Sequence, residues 1–312
     1  NPSHTGCRYY ASGATLSTAA LGVFLDPSYE GDGLKIKEII KRGPFAVKKN
    51  EVTPGSIIEK IDGTDIKAGE DYNALLDGKA GKNIRLTIKN AKGKRFDLTI
   101  KAISQSAQQE LLYKRWVDRN RAIVDSVSHG RIAYVHVKAM NSESFRTVYS
   151  ELLSEKNRTK DAVIVDERHN GGGWLHDDLC TLLSGKQYQE FVPHGKVVGK
   201  DPFNKWTKPS CVLICEDDYS NGHGFPWVYK ELGIGKLIGA PVAGTMTAVW
   251  WETLMDRSLV FGIPQVGCRD MRGTFGENTT LQPDIEVYNS PEDYITGHDT
   301  QLIRAVEEMM KK

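Results

Sequence analysis

The sequence predicts an α/β domain built on a parallel-rich βαβ sheet, with a mostly-β domain inserted near its start. Three observations carry this. Over residues 131–240, apolar strand patterns alternate with helical ones, the mark of parallel pairs joined by helices. Two of the strands, DAVIVDER and CVLICED, are near-continuous apolar runs, as expected of a sheet covered on both faces. From Leu21 to Ile103 the pattern is instead one of short strands separated by turn residues.

In order along the chain, residues 1–20 are small and polar, and GCRYYASG suggests a loop between short strands. ALGVF is a short apolar strand, and GLKIKEII alternates like a half-exposed one. TPGSIIEKIDGTDI holds a turn, a strand, an Asp-Gly turn and a second strand. DYNALLDG is a short helix closed by Gly78, and NIRLTIKN and RFDLTIKA are alternating strands around AKGK. Residues 107–128 place Leu111, Leu112, Trp116, Ile123 and Val127 at helical spacing, giving a linker helix or helix pair. There follow strand GRIAYVHV, helix SFRTVYSELLSE, strand DAVIVDER, helix LHDDLCTLLSG, strand CVLICED, helix GFPWVYKELG, and the strand and turn KLIGAPVAG. Trp250 and Trp251 come later; they read either as the lining of a pocket or, as is more usual for large aromatics, as core.

Composition narrows the function classes. The 312 residues are 39% hydrophobic and 26% charged, as in a soluble globular protein. The 41 basic and 40 acidic residues nearly cancel, so the electrostatic footprint of a nucleic-acid binder is missing. No apolar run approaches the ~18 residues of a membrane span. The chain opens on Asn1 without a signal-peptide pattern, so a fragment or processed form is expected. The expected compartment is the cytoplasm, or the periplasm if an upstream signal has been removed. The cysteines Cys7, Cys180, Cys211, Cys215 and Cys268 are odd in number and scattered, which argues against a disulfide framework. Cys211 and Cys215 read as buried thiols. No Cys/His spacing resembles a structural zinc site, and no metal or cofactor is expected.

Two strand ends carry the candidate chemistry. DAVIVDER runs into HNGGGW, where Gly171 to Gly173 leave backbone N–H groups free to approach a ligand. A flexible turn, a phosphate cradle or an oxyanion hole would each suit; the Walker lysine and the GxGxxG spacing of phosphate loops are missing. CVLICEDD ends at the same kind of edge and leads to YSNG, where Ser220 reads either as a helix N-cap or as a nucleophile. As a nucleophile it needs a base and oxyanion donors. The amide of Asn221, at the helix start, suits the second need. His4, His169 and His223 are the candidate bases, and the residues alone leave them unranked.

NPSHTG, STAALGVF, the β-rich block of about 80 residues, YKRWVDRNRAIVDSVSHGRIAYVHV, DERHNGGG and YSNG together resemble, in order, the tricorn and C-terminal processing peptidase family. The resemblance implies a crotonase-like α/β serine peptidase with an inserted PDZ domain. Such an enzyme hydrolyses peptide bonds of oligopeptides or unfolded polypeptides through an acyl-enzyme. It implies Ser220 as nucleophile, His4 as base, Ser3 as auxiliary member and Glu277, in GENTTLQPD, as acid. The Asn221 amide and that of Gly171 or Gly172 match the oxyanion donors. The family often has Asp where Asn221 stands and more often an acid where His223 stands. Glu167 is expected to alter a substrate contact. ALGVF falls at the carboxylate-binding loop of PDZ domains, so Leu21, Gly22, Val23 and Phe24 are the expected peptide-binding residues. The implied organisation is 1–16 carrying the histidine, 17–103 PDZ-like and 104–312 catalytic, in a homo-oligomer. The rival readings are an inactive peptide-binding scaffold and a non-peptidase acyl hydrolase.

Overall fold

The computed structural model describes residues 3–10, 17–48 and 51–311. The expected boundary after residue 16 ends a stretch, 11–16, that lies outside the described residues. The chain divides into two compact units, Gly13–Asp118 and a second made of Asn1–Ser12 with Arg119–Lys312.

The chain enters through β1 (Gly6–Tyr9), which belongs to the larger unit. The smaller unit then contributes β2 (Val23–Leu25), β3 (Leu34–Ile39), β4 (Ile57–Ile61), β5 (Thr64–Asp65), β6 (Asn83–Lys89) and β7 (Arg95–Lys101). They form an antiparallel sheet in the order β2-β3-β4-β6-β7, with β5 paired to β4. Alternation sets the register. Ile84, Leu86 and Ile88 on β6 stand opposite Ile100, Leu98 and Phe96 on β7 and, with Ile36, Ile58 and Phe45, build one core. DYNALLDG makes only a 3₁₀ turn, Tyr72–Leu75, capped by Asp71, rather than a longer helix. Residues 105–127 form one continuous helix, α1 (Gln105–Val127), instead of a pair.

The larger unit continues with β8 (Ile132–His136), α2 (Ser142–Leu152), α3 (Glu155–Arg158), β9 (Ala162–Asp166), α4 (His176–Leu183), β10 (Gln189–Phe191), β11 (Gly199–Asp201), β12 (Ser210–Ile214), α5 (Asn221–Glu231) and β13 (Lys236–Gly239). Then come β14 (Thr247–Thr253), β15 (Leu259–Gly267), β16 (Ile285–Glu286), α6 (Pro291–Thr296) and α7 (Thr300–Met310). The central sheet has the order β16-β13-β12-β9-β8 and every pairing is parallel. All five residues of β8, β9 and β12 are buried, which is why those segments read as unbroken apolar runs. Val163, Val165, Val212 and Ile214 pack with Val148, Leu179 and Phe225 from α2, α4 and α5, while α7 lies on β8, β9, β12 and β13. Arg168 bonds both Asp166, at 2.7 and 2.9 Å, and Asp299, at 2.9 Å, tying the start of α7 to the end of β9. β1, β15 and β14 form a separate antiparallel sheet, with Gly6 opposite Gly262. This long hairpin was not anticipated from the sequence. β10 and β11 form a two-stranded ribbon.

Candidate active site

Because β9 and β12 are parallel neighbours, with Asp166 beside Leu213, the segments leaving them emerge at one edge of the sheet. Ser220 sits there, at the N-cap position of α5, and makes no side-chain capping bond. Its backbone is at φ 59°, ψ −118°, a region that costs a non-glycine residue about 1–3 kcal/mol. That strain is held from several sides. The Ser220 N–H donates to Thr245 Oγ1 at 2.7 Å, and its carbonyl accepts from His223 and Gly224 at 2.9 and 3.1 Å.

The glycine run meets Ser220 directly. Gly172 is at φ +93°, and a Cβ built on it would stand 2.6 Å from Ser220 Cβ, 2.8 Å from the Tyr219 carbonyl and 3.0 Å from the Asn221 nitrogen. Only glycine fits. Gly172→Ala is therefore expected to lower both stability, by about 2–4 kcal/mol in urea unfolding, and kcat/KM, by roughly 10²-fold or more. A variant unchanged in both would show that this close approach does not position Ser220.

Of the two glycine amides the sequence offered, that of Gly172 is engaged, donating to Asn170 Oδ1 at 2.8 Å. Among the described residues the Gly171 and Asn221 N–H groups have no hydrogen-bond partner. The Asn221 side chain has a separate task. Its Oδ1 accepts from the N–H groups of Leu175, at 2.8 Å, and His176, at 3.1 Å, and so caps α4, whose own N-cap, Leu175, has no side chain able to do so.

His4 reaches the site just ahead of β1, and it is 8% exposed. Its ring packs 4.8 Å from that of Tyr219, whose hydroxyl donates to the Ser3 carbonyl at 2.6 Å. The Ser3 hydroxyl lies 2.8 Å from His4 Nδ1 and donates to Glu277 Oε2 at 3.1 Å. A carboxylate only accepts, so the hydroxyl proton points to Glu277 and the Ser3 lone pairs face Nδ1. This arrangement favours the tautomer with a proton on Nδ1 and a lone pair on Nε2. Glu277 also accepts from the Ser3 N–H at 2.5 Å and from Thr247 Oγ1 at 2.6 Å. Burial pushes its carboxyl up, but the bonds from Thr247 and Ser3 outweigh this and hold it below the ordinary glutamate range. Burial lowers the His4 pKa, with Glu277 partly opposing. The roles of Thr247 and of Tyr219, the first residue of YSNG, were missed in the sequence.

His4, Gly171, Ser220 and Asn221 line one cavity of about 370 Å³, together with Arg8 and Trp251. No hydrogen bond joins Ser220 Oγ to His4; such bonds often tighten only around substrate. The other two candidate histidines lie elsewhere. His223 is 1% exposed and borders a separate cavity of about 210 Å³. Burial lowers its pKa to about 4. His169 pairs with Asp217 at 3.0 Å. Glu167 is not at a substrate surface: it is fully buried, neither carboxylate oxygen has a partner, and burial with Asp218 and Asp166 nearby pushes its pKa far up. Of the two readings of the tryptophans, core is not met, and the pocket reading holds for Trp251. Trp250 is 58% exposed, and Trp251 borders the cavity with the Arg8 guanidinium 3.8 Å above its ring. They stand on a hairpin sheet that is not covered like the central one.

In the smaller unit, Leu21 and Val23 are buried and Phe24 is exposed. The Gly22 N–H, expected to face a ligand carboxylate, donates to Gln108 Oε1 of α1 at 3.0 Å. A cavity of about 840 Å³ in this unit lies along β7 and the start of α1, lined by Leu98, Ile100, Ala102 and Leu111.

The profile of the tricorn protease PDZ domain matches residues 29–105, and that of peptidase family S41 matches residues 131–287. The tricorn protease of Thermoplasma acidophilum is 28% identical over 259 residues, 83% of this chain and 24% of that protein. A putative tricorn-like protease C-terminal subunit from Sulfurisphaera tokodaii is 32% identical over 207 residues, 65% of this chain and 24% of the relative. This chain thus spans about a quarter of the length of these relatives. The crystal structure of the tricorn protease superposes with a TM-score of 0.85 over 99% of this chain and 31% of that one, at 24% identity. The S41 match runs from β8 through β16 and takes in Gly171, Ser220 and Glu277, so the chain belongs to peptidase family S41 and carries a tricorn-type PDZ domain.

Proposed function

We propose that this chain is a serine peptidase that cleaves oligopeptides or unfolded polypeptides through an acyl-enzyme on Ser220. The observation that carries the reading is the Ser3 hydroxyl set between His4 Nδ1 and Glu277, which leaves Nε2 as the basic nitrogen. Ser220 Oγ attacks the scissile carbonyl while His4 Nε2 takes its proton. The Gly171 and Asn221 N–H groups, the latter at the start of α5, stabilise the oxyanion. Glu277, through Ser3, stabilises the imidazolium. His4 then protonates the leaving amine, and water, activated by the same nitrogen, releases the acyl group. Labelling of the intact chain with a fluorophosphonate, located by peptide mapping, tests the reading. Modification of Ser220 supports it; no modification would favour the inactive scaffold. Cleavage of esters but not of peptides would favour the acyl hydrolase.

The pH profile follows from His4. The base must be neutral, and burial lowers its pKa below the ordinary histidine value of about 6.5. Activity should persist as pH falls through 6.5 and be lost only below it. An acid limb of kcat/KM centred at or above 6.5 would contradict this assignment.

For the smaller unit we infer capture of C-terminal peptide ends at Leu21–Phe24, in competition with Gln108. Removing the carboxamide in Gln108→Ala frees the Gly22 amide. Affinity for free-acid peptides should rise roughly three- to tenfold, on the scale of one ordinary hydrogen bond, while amidated peptides gain less. Equal gains for both forms, measured calorimetrically, would assign Gln108 a purely structural role.

A further inference from the structure

We propose that His169, Cys215 and Asp217 form a site for a thiophilic divalent cation of the zinc class. The three residues leave the ends of the adjacent strands β9 and β12, which brings together groups 46 and 48 positions apart in sequence. Their donor atoms all lie within 4.8 Å of one another. His169 Nδ1 is 3.0 Å from Asp217 Oδ1 and 3.8 Å from Cys215 Sγ, and Sγ is 2.7 Å from Asp217 Oδ1. A tetrahedral zinc with bonds of about 2.0–2.3 Å holds neighbouring donors roughly 3.3–3.6 Å apart. The imidazole and thiol are near that spacing already. Asp217 must retreat by under about 1 Å, and its side chain is 63% exposed.

The frame around the donors is built. Asp218, 2% exposed, accepts from the Cys215 N–H at 2.8 Å and from the Asn170 N–H at 3.1 Å, which fixes the two loops to each other. The His169 N–H also points at Cys215 Sγ, at 3.1 Å. Cys215 is buried while the His169 and Asp217 side chains are 49% and 63% exposed, so a fourth position is open to water on one side. One nitrogen, one sulfur and one oxygen donor suit zinc and disfavour magnesium and calcium, which take oxygen. On binding, three coordinate bonds form and the Cys215 thiol releases its proton to solvent. His169 lies two residues before Gly171, and Asp217 three before Ser220. A bound ion would therefore clamp together the two loops that carry these groups. The inference does not depend on the catalytic reading.

The test is titration of the metal-free full chain with cobalt(II), a spectroscopic substitute for zinc. One equivalent should bind with a near-ultraviolet thiolate-to-cobalt band, and zinc should displace it. Cys215→Ser and the exposed-site variant His169→Ala should each lose the band, whereas Cys268→Ser should keep it. The folding of every variant is checked by circular dichroism. At a hundredfold excess over its Kd, zinc should raise Tm by roughly 5–10 °C, and this rise should vanish in His169→Ala. No band at micromolar cobalt, or a band that survives Cys215→Ser or His169→Ala, would overturn the site and leave an ordinary His–Asp ion pair beside a buried thiol.

Discussion

Ser220→Ala should retain the fold and lose peptide hydrolysis by a factor on the order of 10⁴–10⁶ in kcat. The hydroxyl makes no capping bond to α5, so its loss removes no support from the helix. The features that hold residue 220 are backbone ones, the N–H to Thr245 and the carbonyl to the first turn, and alanine keeps both. What remains is the proposed oxyanion pocket and the proposed base, with nothing to activate. Circular dichroism and thermal unfolding check the fold, and single-turnover assays with a fluorogenic peptide check the chemistry. Activity within tenfold of the parent would rule out a serine mechanism.

His4→Ala should be nearly as severe, with a loss on the order of 10⁴–10⁶, because the proposed base and nucleophile would act as one unit, whose effects do not add. The double variant Ser220→Ala, His4→Ala should be no worse than either alone. The acid limb of the pH profile should disappear with the imidazole. His223→Gln should stay within about tenfold of the parent, because His223 faces another cavity. An active His4→Ala beside an inactive His223→Gln would reverse the assignment of the base.

The central sheet was legible because burial on both faces leaves an apolar run that few other structures need, as in Ala162–Asp166 and Ser210–Ile214. The strand-end edge, and with it the nearness of Gly171 and Ser220, followed from parallel topology. The hairpin β14–β15 was not legible, because its solvent-facing residues, Trp250 among them, give no simple alternation of apolar and polar. Thr247 and Tyr219 were invisible for another reason: each contributes one hydroxyl to a group distant in sequence, and a single hydroxyl has no pattern. The substrate contact expected of Glu167 came from comparison with the family pattern, which carries no burial information; here burial continues through Glu167 and Arg168 and is interrupted only at His169 before Asn170. The shared position of His169, Cys215 and Asp217 came from the same strand ends that place the glycines, and ligand spacing in sequence gave no hint of it.

Ser3 is bonded to Glu277, 274 residues further along, and β1 is held by β15, Leu259–Gly267. A chain still emerging from the ribosome therefore carries His4 well before the segments that hold it exist. Ser220 is also made before the strand that receives β1 and before the carboxylate that orients Ser3. The proposed chemistry can be completed only after residue 277 has been made, when these long-range contacts can close. A hydrolase assembled in this order is inert until those segments meet, at the stage when its own unfolded parts would be the nearest substrate.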